Sequence, residues 1–388
     1  MRKLLTILVT AVLGFANIGY AQEAAPAATG ETAVENHEGA AHEEEEGIDP
    51  KKIIFEHLGD RYGWEVPFCH SVSIPLPVIV WSEGSGLHVF SSSRIEHGKV
   101  YTAADGAKFQ VAGEDSPYKG KVVEVTENAA GGYDFKDKPF DISITKNVCA
   151  LIISVLVVLW MVLGLARWHR KSKTKAPRKV TGAVEALVVF IYDGVIKPTL
   201  KEKAPKFAPY LLTVFLFIFV MNLLGLIVVF PGGANLTGNI AVTMVLALIT
   251  FFITNVFGTK HYWKDIFWPD VPLWLKFPIP IMPIIEIFGV FTKPAALTVR
   301  LFANMMGGHM IVIVLTLLIF IFGAMGAAVA GGTAVVSILF SVFMLLIDVL
   351  VSFIQAYVFT MLSTLFIGLA QEEGHKEKGH EEEKPVQA

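Results

Sequence analysis

Long apolar runs separated by short polar stretches dominate the chain from residue 147 to residue 370. A helix needs about 20 mainly apolar residues to cross the ~30 Å hydrocarbon core of a bilayer. The last two runs would each exceed ~50 Å as straight helices, so each must tilt strongly, break or extend beyond the membrane surface. The pattern predicts an all-α polytopic membrane protein with five membrane helices. They are expected at 147–166, 208–230, 240–258, 284–322 and 334–370, with the last two forming a long antiparallel hairpin that turns at 323–332.

The distribution of basic residues predicts the orientation of these helices. A dense basic cluster follows the first run, at 167–180, and several bases occur at 259–277, whereas the loop at 231–239 contains no Lys or Arg. Because cytoplasmic loops are enriched in Lys and Arg, the N-terminus is expected outside and the C-terminus in the cytoplasm. The apolar segment 182–197 is too short to cross and is flanked by bases, which predicts a cytoplasmic surface helix.

The N-terminal third differs in character from the rest. Residues 1–21 have a basic start, a short apolar stretch and small residues before Gln22, which predicts a secretory signal peptide, with an uncleaved anchor helix as the alternative. Residues 22–65 suggest an acidic linker with a short helix. Residues 66–145 predict a small β-rich extracytoplasmic insert, because they contain short strand-like segments at 71–74, 87–90, 108–111, 121–125 and 141–144. The membrane domain is expected to follow at 146–370. A charged cytoplasmic tail is expected at 371–388.

Composition supports a membrane protein and excludes several other classes. Hydrophobic residues make up 53% of the chain, charged residues 17%, and the mean hydropathy is +0.56. No basic footprint for nucleic acid is present, and two cysteines provide no disulfide framework. No phosphate-binding Gly-xxxx-Gly-Lys-Ser/Thr loop occurs, so no nucleotide chemistry is expected in this chain. Neither a cofactor nor a metal site is predicted, since the histidines near both ends fit solvated tails better.

Arg300 is the most informative single residue because it lies in the middle of an apolar run. An arginine does not lose its proton in proteins, and placing one at the centre of a bilayer costs ~2.5–3.5 kcal/mol on insertion scales. Two explanations remain open: an internal salt bridge that holds helices together, or a fixed charge that an ion-carrying partner must pass. Small residues at 296, 303 and 307 would let another helix approach the arginine closely.

Other polar residues of the last two runs are arranged in order across the membrane. Asp348 and Gln355 share one helix face and are ~10.5 Å apart along the axis. If Gln355 is level with Arg300, Asp348 lies near His309 on the outer side. Glu286 lies ~21 Å from Arg300 toward the cytoplasm. Titratable groups are therefore expected on both sides of a charge that cannot titrate.

Each of these polar residues also has a simpler explanation when taken alone. His309 could be an interhelical hydrogen-bonding residue with Asp348 as its ion-pair partner. Asn304 and Gln355 could serve only to hold the arginine. Lys293 fits a lysine whose amine reaches the membrane surface. The set is more informative than its members, because all of them lie on two adjacent helices.

Two segments resemble subunit a of the F-type ATP synthase, the stator part of its Fo proton channel. They are Thr298-VRLFANMMGGHM and Asp348-VLVSFIQAYVFTMLS. The resemblance is weak over 50–65 and good over 140–370. It implies five membrane helices plus one surface helix, with the two longest helices steeply tilted against a rotor ring. The longer N-terminal region departs from the family's usual pattern and leaves its role open.

The resemblance also implies roles for the residues. The family's essential arginine falls on Arg300, and its associated amides fall on Asn304 and Gln355. The acid and histidine of the outer half-channel fall on Asp348 and His309, and the acid of the inner half-channel falls on Glu286. The expected partners are a ring of c subunits, the b subunits of the peripheral stalk, the rest of the ATP synthase and membrane lipid. The expected location is the bacterial inner membrane.

Two other classes of function remain open for this sequence. A secondary transporter would use the buried arginine to bind an anionic solute, but such folds show internal repeats that are not evident here. A membrane scaffold without transport would use the polar residues only to join helices. It would tolerate replacement of Arg300 by Lys, because no bidentate contact would depend on the guanidinium group.

Overall fold

The computed structural model describes residues 59–372 with nine short gaps. The predicted signal peptide, most of the predicted acidic linker and all but the first two residues of the charged tail lie outside the described residues. The gaps are at 67–68, 114–115, 117, 128–132, 172–176, 178, 228–233, 268–280 and 324–326.

Short antiparallel strands come first in the chain and form three small sheets, with the orders β1-β2, β4-β3-β9 and β5-β6-β7-β8. Their apolar core contains Val78, Val80, Phe90, Phe109 and Val122. The strands are β1 (Gly63–Val66), β2 (Cys69–Pro75), β3 (Pro77–Ser82), β4 (Gly86–Ser91), β5 (Tyr101–Thr102), β6 (Lys108–Val111), β7 (Val122–Glu127), β8 (Tyr133–Asp137) and β9 (Phe140–Asp141).

Each strand-like segment of the sequence overlaps one observed strand, although 141–144 does so only at Asp141. Four strands were not predicted: β1, β3, β5 and β8. β3 has no simple alternation of apolar and polar residues, since both of its faces carry apolar side chains. β1 begins at Gly63, just before the boundary expected at residue 66.

Helices make up the rest of the described chain. Four of them are long and apolar enough to cross a membrane, or five if α5 and α6, which are bent by 103°, count as one span. This range includes the predicted five. The helices are α1 (Lys146–Lys171), α2 (Lys179–Ile191), α3 (Lys197–Leu200), α4 (Ala204–Leu226), α5 (Ile240–Val256), α6 (Lys260–Phe267), α7 (Ile281–Gly323) and α8 (Ala327–Gln371), with a π-helical turn at Tyr192–Ile196 between α2 and α3.

Helix α4 lies at the centre of the helical part and packs against α1 and α8. Its side chains Leu211, Phe215, Ile218 and Met221 are completely or almost completely buried. A helix that is apolar on all sides is typical of the interior of a helix bundle. α4 therefore forms the framework on which the longer helices are placed.

The predicted surface helix corresponds to α2, the π-helical turn and α3. It leads directly toward α4, but Lys201 has φ 48° and ψ −118°, which interrupts the helix between them. Glu185 of α2 forms an ion pair with His169 of α1 at 2.9 Å, so α2 is tied to the basic end of the first long helix. The placement of this segment along a membrane surface remains a prediction.

Helices α7 and α8 form the long hairpin. They contain 43 and 45 residues, so each is ~65–68 Å long at ~1.5 Å per residue, more than twice the core of a bilayer. The turn predicted at 323–332 was too long, because only 324–326 separate the two helices. Alanine favours helix strongly, and a helix satisfies its own backbone groups where water is absent, which explains the extension of α8 into the Gly- and Ala-rich stretch.

The β region is joined to the start of α1 by specific contacts. The Asn147 N–H donates to Asp60 Oδ1 at 3.1 Å, and the Lys146 N–H donates to the Arg61 carbonyl at 2.9 Å. Trp64 is buried in the same apolar cluster as Ala150 of α1. These contacts satisfy N–H groups that would otherwise lack partners in the first turn of the helix. Burial raises the pKa of Asp60, since its hydrogen bonds offset only part of the desolvation.

Candidate functional site

The contacts between α7 and α8 establish their antiparallel register. Asp348 lies against Gly308, and Lys293 Nζ lies 5.5 Å from the centre of the Phe366 ring. The residue earlier in α7, Lys293, thus contacts the residue later in α8, Phe366, as expected for antiparallel helices. By this register Gln355 is level with the turn that contains Arg300, and Asp348 is level with His309. Helical spacing in the sequence predicts the same levels.

Asp348 is buried and sits directly on the backbone of α7. A Cβ atom added to Gly308 would lie only 2.6 Å from Asp348 Oδ1 and 3.1 Å from Oδ2, so the carboxylate occupies the space that a side chain would need. Asp348 is 7% exposed, and its Oδ2 has no hydrogen-bond partner among the described residues. His309, the next residue along α7, is half-buried. A buried carboxyl group with an unused oxygen can take up and release a proton without first breaking a hydrogen bond.

A buried polar chain connects the region of Asp348 to the loop between α4 and α5. The Ser352 hydroxyl donates to the Asp348 carbonyl at 2.7 Å, and Asn222 Nδ2 donates to the Ser352 carbonyl at 3.5 Å. Thr237 Oγ1, in the loop, donates to Asn222 Oδ1 at 2.8 Å. In the same loop Asn235 Nδ2 donates to the Met305 carbonyl of α7 at 3.4 Å.

Sequence reasoning missed this chain. The signal for Asn222 was available, because an amide within an otherwise apolar membrane helix is costly and usually functional. Thr237 and Ser352 gave no comparable signal, since hydroxyl groups are common in membrane helices and their loops. Only the fold brings the three together.

Arg300 and Asn304 lie on the opposite side of α7 from the bundle. Both are exposed in this chain, as are Ala296, Ala303 and Gly307. Leu297, Leu301 and Met305 form the buried face of the same helix. None of the described carboxylates forms an ion pair with the guanidinium group of Arg300. The guanidinium group therefore lies on the exposed surface of this chain, with small residues around it.

Gln355 differs from Arg300 in its burial. It is 7% exposed and lies on the face of α8 that packs into the bundle, beside Ala356 and Phe359, which are also buried. The structure thus brings Gln355 to the level of Arg300 while the two side chains have different surroundings. Asn304 shares the exposed surface of Arg300 instead.

A second polar region lies near the N-terminal part of α7. A small cavity there has walls from α5, α6, α7 and α8, with Thr254 and Lys293 among its polar lining residues. Tyr262 Oη donates to Asn255 Oδ1 at 3.4 Å, and both residues line the cavity. Glu286 is half-buried and lies within electrostatic range of Tyr262. Lys293 thus borders a cavity between four helices, whereas the sequence suggested a lysine that reaches the membrane surface.

The six candidate residues therefore fall into three groups along one hairpin. Asp348 and His309 lie at one level, Arg300, Asn304 and Gln355 lie at the next level, and Glu286 lies beyond the cavity. Among the described residues no cluster of three or more His, Cys, Asp or Glu side chains could hold a metal ion.

Comparisons with known proteins cover the helical region and the strands separately. The model of the family "ATP synthase A chain" matches residues 148–368, which include all six candidate residues. A "Domain of unknown function (DUF8433)" matches residues 53–142.

Several curated relatives share the helical region. "ATP synthase subunit a 2" of Chlorobaculum tepidum is 46% identical over 252 residues, covering 62% of this chain and 67% of the relative. "ATP synthase subunit a 2" of Chlorobium luteolum is 40% identical over 309 residues, covering 72% and 85%. "ATP synthase subunit a" of Myxococcus xanthus is 42% identical over 257 residues, covering 64% and 80%.

Proposed function

The chain belongs to the ATP synthase A chain family, and we propose that it forms the two proton half-channels of Fo against a ring of c subunits. It is a multi-pass membrane protein and a proton-translocating subunit of an ATP synthase. The observation that carries the proposed mechanism is the position of Arg300. It is exposed on the surface of this chain at a level between the Asp348–His309 group and the Glu286 group.

The outer half-channel is formed by the polar chain that begins at the loop between α4 and α5. Protons reach Asp348 and His309 past Thr237, Asn222 and Ser352, which provide hydrogen-bonding groups through an otherwise apolar bundle. The unused oxygen of Asp348 accepts the proton, and the group then passes it to a carboxylate on the adjacent c subunit. This transfer requires direct contact or a short water bridge between the Asp348–His309 group and the carboxylate of the c subunit. The exposed face of α7 leaves room for the c subunit to approach.

The inner half-channel is formed around the cavity between α5, α6, α7 and α8. Its hydroxyl and amide groups can hydrogen-bond water on the proposed route toward Glu286. A proton released from the ring leaves by this route toward the cytoplasm.

Arg300 separates the two half-channels. When a ring carboxylate has lost its proton, the guanidinium group attracts it and compensates its charge in a region of low dielectric constant. Because arginine stays protonated, it cannot relay a proton from the outer group to the inner one. Protons must therefore travel with the ring, and each charge that crosses contributes ~2.3 kcal/mol per 100 mV of membrane potential.

The proposed assembly is supported by the exposed face of α7 and by family membership. The c ring contacts the exposed face of α7, the b subunits of the peripheral stalk contact the remaining surface, and nucleotide chemistry takes place in other subunits. The proposed location is the bacterial inner membrane, with the β region outside and the C-terminus in the cytoplasm. Family membership does not favour the alternative of a secondary transporter for an anionic solute.

The direct test is ATP-driven acidification of inverted membrane vesicles that contain the assembled complex. Arg300→Ala is expected to abolish acidification while ATP hydrolysis continues, because ring carboxylates would lose their compensating charge. Arg300→Lys is expected to retain little activity, since an ammonium group lacks the planar fork of arginine. Arg167→Ala, at the exposed end of α1, is the matched control and should pump normally. Undiminished pumping by Arg300→Ala at equal assembly would remove the arginine from the mechanism.

A further inference from the structure

The sheet β4-β3-β9 has an unusual outer face. One face is buried in the core of the β region through Val78, Val80 and Phe90. The other face would normally be polar, because antiparallel sheets with one buried face alternate apolar and polar residues. Here it carries large apolar side chains instead, with exposed fractions of 51% for Trp81, 56% for Leu87, 61% for Val89, 58% for Phe140 and 44% for Ile142.

The strand register arranges these residues in two parallel rows. Trp81 is paired with Leu87 on one side and Phe140 on the other. In the next row Ile79 pairs with Val89, and the Ile142 N–H donates to the Ile79 carbonyl at 2.8 Å. The rows are ~6.8 Å apart, since each residue of a strand adds about 3.4 Å. The two rows form the apolar sheet face, which consists of Ile79, Trp81, Leu87, Val89, Phe140 and Ile142.

The apolar sheet face leads directly to the first long helix. In the following row the Ile144 N–H donates to the Pro77 carbonyl at 3.2 Å, and α1 begins two positions later at Lys146. The Asn147 N–H bond to Asp60 and the burial of Trp64 beside Ala150 hold the β region to this end of α1. The face is thus tethered within a few residues of the point where α1 begins.

Helix α1 itself exposes large apolar residues on its outer side, including Leu156 at 58% and Trp160 at 66%. Such a surface is suited to lipid. The exposed apolar surface of α1 and the apolar sheet face are therefore connected by the short segment 142–145. Continuity with a lipid-facing surface, rather than exposure alone, identifies the occupant of the sheet face.

We infer that the apolar sheet face lies on the outer surface of the membrane and binds lipid acyl chains and headgroups. This inference rests on the proposed function in one respect, namely that α1 crosses the membrane. A tryptophan between leucine and phenylalanine is typical of protein surfaces at the membrane–water boundary. The β region would then fix the orientation of the outer end of α1 at the membrane surface.

The inference is tested in the assembled complex in nanodiscs of phosphatidylethanolamine and phosphatidylglycerol. Cys69 and Cys149 are first replaced by Ser, and a nitroxide is then attached to single cysteines at Leu87, Val89, Leu156 or Asp134. Paramagnetic accessibility to oxygen, which concentrates in lipid, is compared with accessibility to a polar nickel complex, which remains in water. Complex without a cysteine in this chain supplies the background.

The ratio of oxygen to nickel accessibility at Leu87 and Val89 should be about fivefold above that at Asp134, because a face buried ~5–10 Å deep excludes the nickel complex. Asp134 lies on the exposed strand β8 and is the aqueous control. Leu156 reports whether α1 is in lipid.

The inference is overturned if the ratio of oxygen to nickel accessibility at Leu87 and Val89 equals that at Asp134 while Leu156 is in lipid. The proposed function would then remain intact. Protection of Leu87 and Val89 from both reagents also overturns it, since a protein partner would then cover the face. An aqueous ratio at Leu156 would contradict both the inference and the proposed topology.

Discussion

Replacing Gly308 by Ala should reduce proton pumping by displacing the carboxylate of Asp348. A Cβ at residue 308 would lie 2.6 Å from Asp348 Oδ1 and 3.0 Å from Cγ. Normal carbon–oxygen contacts lie near ~3.4 Å, so the carboxylate or the two helices must move by roughly 0.8 Å. Asp348 is too deeply buried to rotate freely into solvent.

The size of the effect follows from the sensitivity of proton transfer to distance. Misplacing a reacting group by about 1 Å costs on the order of 100-fold in rate. A shift of this size at Asp348 should therefore lower ATP-driven acidification by roughly 10- to 100-fold, while ATP hydrolysis of the uncoupled catalytic sector stays normal.

Gly289→Ala is the matched control for this measurement. It makes the same chemical change on the same helix, but nothing lies within 4 Å of the added methyl group. Both variants gain helix propensity, so a difference between them reports the contact with Asp348. Equal pumping by Gly308→Ala and Gly289→Ala would show that the position of the carboxylate on Gly308 has no functional importance.

Two further predictions concern other parts of the chain. Asn222→Leu should lower pumping several-fold, because it removes the partner of the buried Thr237 hydroxyl and interrupts the outer polar chain. Thr213→Val is the control, since the half-buried Thr213 hydroxyl donates to the Pro209 carbonyl of its own helix; equal pumping rates of the two variants in vesicles would contradict the proposed path. Burial opposes ionisation of Glu124, but hydrogen bonds from Lys136 and Ser82 hold its pKa below the ordinary 4.5, so its contribution to stability is present above pH 4.5 and is lost as the pH falls further. Glu124→Gln should therefore make the β region easier to cleave by limited proteolysis of the full chain, and this effect should be larger at neutral pH than well below pH 4.5. A difference in cleavage between variant and wild type that does not change with pH would refute this.

The distinction between what the sequence predicts and what it does not is visible within α7. Arg300 and its position relative to His309 and Glu286 follow from residue spacing, since a helix converts sequence distance into axial distance with little freedom. The small residues around it predict that it faces a partner helix; the structure shows that it is exposed on this chain, and the partner remains a prediction. The contact of Asp348 with Gly308 was not predicted. Helical spacing gives the level of each residue along the helix axis, but it does not show which atoms of two helices are in contact.

Lys293 shows the same difference. The sequence suggests a lysine whose amine reaches the membrane surface. In the structure Lys293 lines a cavity with further walls from α5, α6 and α8, so it borders the proposed inner half-channel. No local pattern could indicate this, because the walls come from segments far apart in the chain.

The sequence by itself determined the membrane character of this protein, the approximate helices and the order of polar groups along the hairpin. Hydropathy and helical spacing are local properties, so they can be obtained from the sequence without knowledge of the fold. Only the tertiary structure decided that Asn222 joins Thr237 to Ser352, that Asp348 rests on a glycine, and that one sheet turns its apolar face outward next to α1. These features depend on packing between distant segments, where burial and hydrogen-bond satisfaction are properties of the assembled molecule and not of any one stretch of chain.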